Sequence, residues 1–287
     1  MSAEFPIFLS HDTIKKLNAI DRSISQTVVI SLDLGRSSRK IFFRENDFLK
    51  IGHNLIPIPA DILASSDERT IWKYNGKSWE KWERFDEQSN RYYKMIFVRQ
   101  GKPPTIEISG IKMHVTKAGD PSQDTHRKLE SLRTIRGTVL DTSLGLGYTA
   151  IAASGYPKVE RVYVCERDPV ILEFCLENPW SIALFTTPRI QPILIPVQEF
   201  IGTVPDSYFN VIIHDPPRFA LAPEVYAESF YRNLFRILKP GGELYHYTGD
   251  PNRRTRRHSL AEKTATLLSN TGFRHVRMVY AGVGAQR

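Results

Sequence analysis

The sequence predicts an α/β protein: a doubly wound, mostly parallel sheet with a smaller β-rich N-terminal domain. Three observations predict it. From about residue 106 onward, short apolar runs alternate with segments of helical length. The links between them are short, which implies right-handed βαβ crossovers. Residues 1–105 have a different texture, with short alternating segments broken by polar turns. A chain of 287 residues suits one core domain plus an appendage of this kind.

The N-terminal elements follow in order. "HDTIKKLNAI" reads as a short helix capped by Asp12 or Thr13. "TVVISLDLG", "RKIFFRE", "TIWKYNGKSWEKWERF" and "YYKMIFVR" read as strands. "YNGKS" sets an Asn-Gly turn between two aromatic runs, a strong hairpin signal. Trp72, Trp79 and Trp82 stand in this region with three readings open: stacking on substrate, packing a small sheet, or lying in a homodimer interface.

Residues 106–287 then alternate. "GTVLDTS" is a strand and "YTAIAASG" a helix ending at Gly155. "VERVYVCE" is the second strand and "DPVILEFCLENPW" the second helix. "RIQPILIP", "FNVIIHD" and "GELYHYTG" are three further strands. "PEVYAESFYRNLFRIL" is a helix stopped by Lys239-Pro240-Gly241-Gly242, "SLAEKTATLLSNTG" another helix, and "FRHVRMVYAGV" a last single strand. The alternation is Rossmann-like.

Composition is ordinary for a globular protein, with 41% hydrophobic and 24% charged residues. No apolar run approaches the roughly 20 residues that span a bilayer, and the first residues lack the basic and apolar regions of a secretory signal. Cys165 and Cys175 form no metal-like or redox-like pair. A reducing cytoplasm is the expected compartment. The net charge of +8 suits a polyanionic partner such as RNA and is equally that of a merely basic protein.

The chemistry-bearing motifs sit at strand ends. "VLDTSLGLGYTAIAAS" places Asp141 at the end of a strand, then Ser143, Gly145 and Gly147, then a helix. Ligands bind at the carboxyl ends of strands in open parallel sheets, and glycines let the backbone turn and approach them closely. The G-x-G-x-x-G dinucleotide fingerprint is absent. A tight turn with no ligand is the alternative for this loop. Glu166 ends the next strand, about 20 residues past Gly145, as suits a carboxylate on a ribose diol.

The order "LDTSLGLGYTAIAAS", "VYVCERDP", "FNVIIHDPPRF", "RILKPGGELYHYTGDP" resembles the motif series of class I S-adenosylmethionine-dependent methyltransferases, over roughly residues 105–287. More narrowly, "EISGIKMHV", "DPSQDTHRKL", "LENPWS" and "IIHDPPRF" resemble a family of predicted archaeal methyltransferases. A looser likeness is to aminopropyltransferases of the spermidine-synthase type. The resemblance implies S-adenosylmethionine as cofactor, with Asp141 near its amino group and Ser143, Gly145 and Gly147 lining the loop. It implies Glu166 on the ribose, with Arg167 or Asp168 beside the adenine. Two departures stand out. Ser143 replaces the usual first glycine, and "ILIPVQEF" lacks the usual acid, which leaves Gln198 or Glu199 as the candidate. Asp124, Thr125 and Lys128 precede the loop in the segment that covers the cofactor in resembling enzymes; a helix cap by Asp124 is the alternative.

"HDPPRF" follows the fourth strand. Methyltransferases acting on planar nitrogens carry an acid-Pro-Pro-aromatic group here. Asp215 and the nearby carbonyls can accept hydrogen bonds from an attacking amine. Pro216 and Pro217 fix φ and remove competing donors. Arg218 stands where the aromatic is expected, and Phe219 follows it. Phe219 could stack on a planar acceptor, and Arg218 could stack or pair with an anion. A stiff turn capped by Asp215 is the alternative. His214 is read as a buried, bonded histidine before a catalytic one, and one or two of Tyr245, His246 and Tyr247 as pocket lining.

The expected function is methyl transfer from S-adenosylmethionine to a nitrogen of RNA, with tRNA first. The acid-Pro-Pro group, the net charge and the arginine loop Arg253–Arg257 favour it. Aminopropyl or methyl transfer to a small molecule such as a polyamine is the alternative; Arg218 and the arginine loop argue against it, because a polyamine site should be lined with acids. A non-catalytic binding module is the third reading. No metal and no membrane contact are expected.

Overall fold

The alternating segments of the first hundred residues form three small antiparallel sheets. The computed structural model describes residues 6–21, 23–44, 47–116, 119–219, 222–249 and 260–287. Two compact units divide the chain, Met1–Ser122 and Gln123–Arg287.

In the first unit, Gln26–Ile30, Arg39–Arg44, Phe48–Ile51 and Asn54–Pro57 pair as a meander. Ile7–Leu9, Trp72–Tyr74 and Trp79–Lys81 form a second sheet, with Tyr74 opposite Trp79 across the Asn-Gly turn. Glu83–Asp86, Arg91–Ile96, Thr105–Ile108 and Ile111–Lys112 form the third. Residues 106–112, assigned from sequence to the later domain, therefore belong to this unit, because Thr105–Ile108 pairs with Arg91–Ile96. The first helix is His11–Asn18, and Ser10 caps it rather than Asp12 or Thr13: the Thr13 N–H donates to the Ser10 hydroxyl. The tryptophans pack their own unit. Trp82 is buried with its ring centroid 4.5 Å from that of Phe8. Trp72 and Trp79 lie against the core around Leu9, Val28, Phe43 and Leu49. The Trp79 indole N–H donates to the Pro57 carbonyl.

The second unit is the doubly wound half. Its strands are β1 (Gly137–Asp141), β2 (Val159–Cys165), β3 (Ile190–Ile193), β4 (Phe209–His214), β5 (Leu238–Tyr247), β6 (Arg274–Val279) and β7 (Gly282–Gln286). Its longer helices after β1 are α1 (Tyr148–Ser154), α2 (Pro169–Glu177), α3 (Val197–Thr203), α4 (Glu228–Ile237) and α5 (Leu260–Asn270), with a single helical turn at Ala183–Thr186. The helix Pro121–Glu130 precedes β1. The sheet order is β3-β2-β1-β4-β5-β7-β6. β1 to β5 run parallel, and β7 is antiparallel to β5 and β6.

β4 reads as a continuous apolar run because it is covered on both faces: Phe209, Val211, Ile212 and Ile213 are all buried. Each such side chain contributes roughly 1.5–3 kcal/mol by burial. α4 lays Phe230, Tyr231, Leu234 and Ile237 on the same core, at helical spacing. The expected last strand is two strands. Ala281, at φ 47°, turns the chain between them, and alanine carries no sequence signal for such a turn. The long helix expected from Pro223 is a 3-10 turn, Pro223–Tyr226, followed by α4.

Strand order reverses between β1 and β4. A crevice opens beyond the carboxyl ends of the strands at such a point. Asp141, Glu166, Asp215 and Tyr247 all arrive at this edge, each at or just past the end of a parallel strand.

Candidate active site

The loop after β1 is shaped by two glycines with positive φ, Gly145 at 51° and Gly147 at 77°. A side chain at Gly147 would place its Cβ 2.2 Å from Leu184 Cδ1, whereas Gly145 has open space. The loop therefore needs glycine at 147 for packing and at 145 only for backbone conformation. Below it, Asp141 is fully buried. The Ser143 N–H donates to its Oδ1 at 3.3 Å, and its Oδ2 has no hydrogen-bond partner among the described residues. Burial pushes the Asp141 carboxyl well above the usual range, and Asp215 adds to the effect.

Glu166 follows β2. Its Oε1 accepts from the Arg167 and Asp168 N–H groups, at 2.9 and 2.8 Å. Burial pushes its carboxyl up to about 7, against the backbone donors that favour the charged form. Asp168 caps α2 by accepting from the Val170 N–H and so is committed to the helix. Arg167 reaches across to Glu224 at 3.2 Å. Between them lies a cavity of ≈ 70 Å³ lined by Thr142, Ser143, Glu166, Gln198, Pro216 and Pro217. Gln198 and Glu199 both lie in the first turn of α3; Gln198 lines the cavity and Glu199 is exposed, which separates the two candidates.

Asp215 lies at the end of β4. Its Oδ2 is 2.6 Å from Lys128 Nζ, and the same ammonium is 2.8 Å from Asp124 Oδ2 and 4.8 Å from the Tyr247 ring centre. Lys128 is buried, with 2% of its side chain exposed. Burial alone would lower the lysine pKa, but the two carboxylates hold it above its ordinary value. Burial raises the Asp215 carboxyl, and Lys128 draws it back part of the way. Asp124 Oδ1 accepts from the Tyr280 hydroxyl at 3.0 Å, so Asp124 is a partner of Lys128 and Tyr280 rather than a helix cap. Thr125, one residue on, is buried.

Pro216 is buried and Pro217 half-buried. The Tyr226 hydroxyl donates to the Pro217 carbonyl at 2.8 Å, which fixes the turn and commits that carbonyl. Arg218 and Phe219 are exposed. Phe219 meets Tyr226 edge-on at 5.4 Å. His214 is structural. Its Nε2 donates to the Val225 carbonyl at 3.1 Å, so Nδ1 accepts from the Thr142 hydroxyl. His246 is held likewise: Nδ1 donates to the Tyr247 carbonyl and Nε2 accepts from Tyr231. Burial drives both pKa values down, that of His246 to about 4. Tyr245 is buried and donates to the Tyr280 carbonyl.

The site thus gathers Asp141, Ser143, Gly145, Gly147, Glu166, Arg167, Gln198, Asp215, Pro216 and Pro217 at one edge. It adds Tyr226, Glu224, Tyr247 and Tyr280, which sequence reading did not single out or left unsorted; Tyr280 is brought in by the hairpin that was read as one strand. The surroundings of Asp215 are mixed: Lys128 touches it, Asp124 and Asp141 lie near it, and Arg218 is exposed. The Arg253–Arg257 loop lies outside the described residues.

The residues fit S-adenosylmethionine on an observation of the site itself. A buried carboxylate oxygen with no partner, at Asp141, suits an ammonium, and Glu166 at the cavity wall suits a diol.

The fold is that of the class I S-adenosylmethionine-dependent methyltransferases, which spermidine synthases share. The spermidine synthase of Thermotoga maritima superposes with a TM-score of 0.56 at 17% identity, covering 74% of this chain and 75% of that one. The chain belongs to the family of the uncharacterized protein MJ1233 of Methanocaldococcus jannaschii, with 37% identity over 282 residues, 96% of this chain and 94% of that protein. Putrescine N-methyltransferase 4 of Nicotiana tabacum is 24% identical over 162 residues, 55% of this chain and 42% of that protein. No family model matches.

Proposed function

We propose that the protein transfers a methyl group from S-adenosylmethionine to a nitrogen of an RNA base, with tRNA as the acceptor. The observation that carries this reading is the Asp215 carboxylate, held by Lys128 through Oδ2 at the lip of the crevice. That grip leaves Oδ1 for an incoming N–H.

When bound, the cofactor supplies an electrophilic methyl group on a sulfonium. Asp141 would hold its ammonium and Glu166 its ribose hydroxyls, with Gln198 and Arg167 on the adenine side. Asp215 Oδ1 accepts the hydrogen bond of the acceptor N–H and takes that proton as the nitrogen gives up its lone pair. Lys128 orients the carboxylate before the acceptor arrives and opposes the effect of burial on it. The two prolines and the Tyr226 bond keep the turn stiff, so positioning costs little on binding. Phe219 and Arg218, both exposed next to the turn, supply a flat face and a cation for a planar base beside a phosphate.

A second reading is supported by the acids Asp124, Asp141 and Asp215, and by the putrescine N-methyltransferase relatives: transfer to a small amine such as a polyamine. Label in the S-methyl group separates the readings. Incubated with total RNA, protein and small-molecule pools, the wild type should label RNA, and the Asp215→Ala variant should not. Label confined to small amines would overturn the RNA reading, and an aminopropyl mass increment would overturn methyl transfer.

A further inference from the structure

We propose that Lys128 is a built-in ammonium that fills the cation position of this site, so that the acceptor delivered to Asp215 is uncharged and free polyamines are excluded. The proposal rests on the assignment of Asp215 to the acceptor side.

Lys128 Nζ has the surroundings that an alkylammonium ligand would need. Two carboxylate oxygens lie at 2.6 and 2.8 Å, and an aromatic face lies beneath at 4.8 Å. Carboxylates and a tyrosine face recognise a primary ammonium by charge-assisted hydrogen bonds and by the ring quadrupole. The tetramethylene stem is buried as well, so an alkyl chain already occupies the approach. The helix delivers this geometry. Asp124 and Lys128 are four residues apart in Pro121–Glu130 and so lie on one face. Asp124 is fixed in turn by the Tyr280 hydroxyl.

A second ammonium would have to share these carboxylates with Lys128 at close range, and like charges in a buried site repel strongly. Without Lys128 the same place holds two facing carboxylates and a tyrosine, which is a cation site. One side chain therefore decides between a neutral acceptor nitrogen and a cationic one.

The test uses the full chain without cofactor. Putrescine is titrated by calorimetry, with thermal unfolding in parallel, into wild type, Lys128→Ala, and Lys128→Ala combined with Asp124→Asn. Wild type should give no heat and no change in Tm at millimolar putrescine. Lys128→Ala should bind at least tenfold more tightly and gain in Tm, and the added Asp124→Asn should cancel the gain. A folded Lys128→Ala protein indifferent to putrescine would overturn the proposal. If that variant does not fold alone, folding in the presence of putrescine is the expected rescue, and failure of rescue counts against it. Asp215-dependent binding of putrescine to wild type would also overturn it. A separate titration with S-adenosylmethionine reports on the cofactor reading, so the two can fail independently.

Discussion

Thr142 Oγ1 lies 2.7 Å from His214 Nδ1, tying the ends of β1 and β4 together at the point where strand order reverses. Both groups are buried, and the second histidine nitrogen is committed to Val225. Thr142→Val keeps the shape and leaves Nδ1 without a donor. The variant should lose ~1–3 kcal/mol of stability, the cost of an unsatisfied buried polar atom. Thermal or denaturant unfolding checks it, and an unchanged midpoint would contradict the Thr142–His214 hydrogen bond.

Asp141 is a buried carboxyl with one oxygen that has no partner among the described residues. Burial raises its pKa well above the usual range. The unfolded chain therefore gains by ionising it at neutral pH, and the apo protein is destabilised accordingly. Asp141→Asn should raise the Tm of the apo protein. It should also weaken S-adenosylmethionine by about tenfold or more, since the cofactor ammonium loses its anion. Unfolding and titration of the same preparation read both effects.

Glu166, pushed up to about 7, sets a pH dependence. Accepting from two ribose hydroxyls favours the ionised form. Cofactor affinity should rise as pH increases through about 7, from the protonated side, and level off above it. Asp141, which stands in the same crevice and is also raised by burial, titrates in the same sense. Glu166→Gln should bind more weakly and lose the part of the slope centred near 7. Affinity that falls with rising pH would contradict the ribose role.

Gly147 and Gly145 make a matched pair. Both have positive φ, but only Gly147 has a neighbour in the way. Gly145→Ala should cost about 1 kcal/mol of backbone strain. Gly147→Ala adds a collision with Leu184 and should cost roughly 1–3 kcal/mol more. Equal effects would show that Leu184 moves aside freely.

Much of the site is legible in the sequence because it is local. A strand end followed by an acid, a glycine loop or two prolines fixes its own geometry within a few residues, and Asp141, Gly147, Glu166 and Pro216 lie together at or past the strand ends. What is not legible depends on distance along the chain. Lys128 meets Asp215 across 87 residues, and no pattern near either announces the pair. Tyr280 reaches Asp124 across 156 residues, through a hairpin whose turn is an alanine at φ 47°. Residues 106–112 read as the start of the α/β half, but their sheet is completed by Arg91–Ile96, which lies before them in the chain. The tryptophans stay open in the sequence between substrate, core and dimer interface because an aromatic run looks the same in all three roles. Burial of Trp82 against Phe8 is a tertiary fact.

The central claim is that the crevice around Asp141 and Glu166 holds S-adenosylmethionine. Titration calorimetry of the cofactor into the wild-type chain tests it most directly. One cofactor per chain should bind, with affinity reduced in Asp141→Asn and in Glu166→Gln. Absence of binding at millimolar cofactor, or binding that neither substitution alters, would contradict the account.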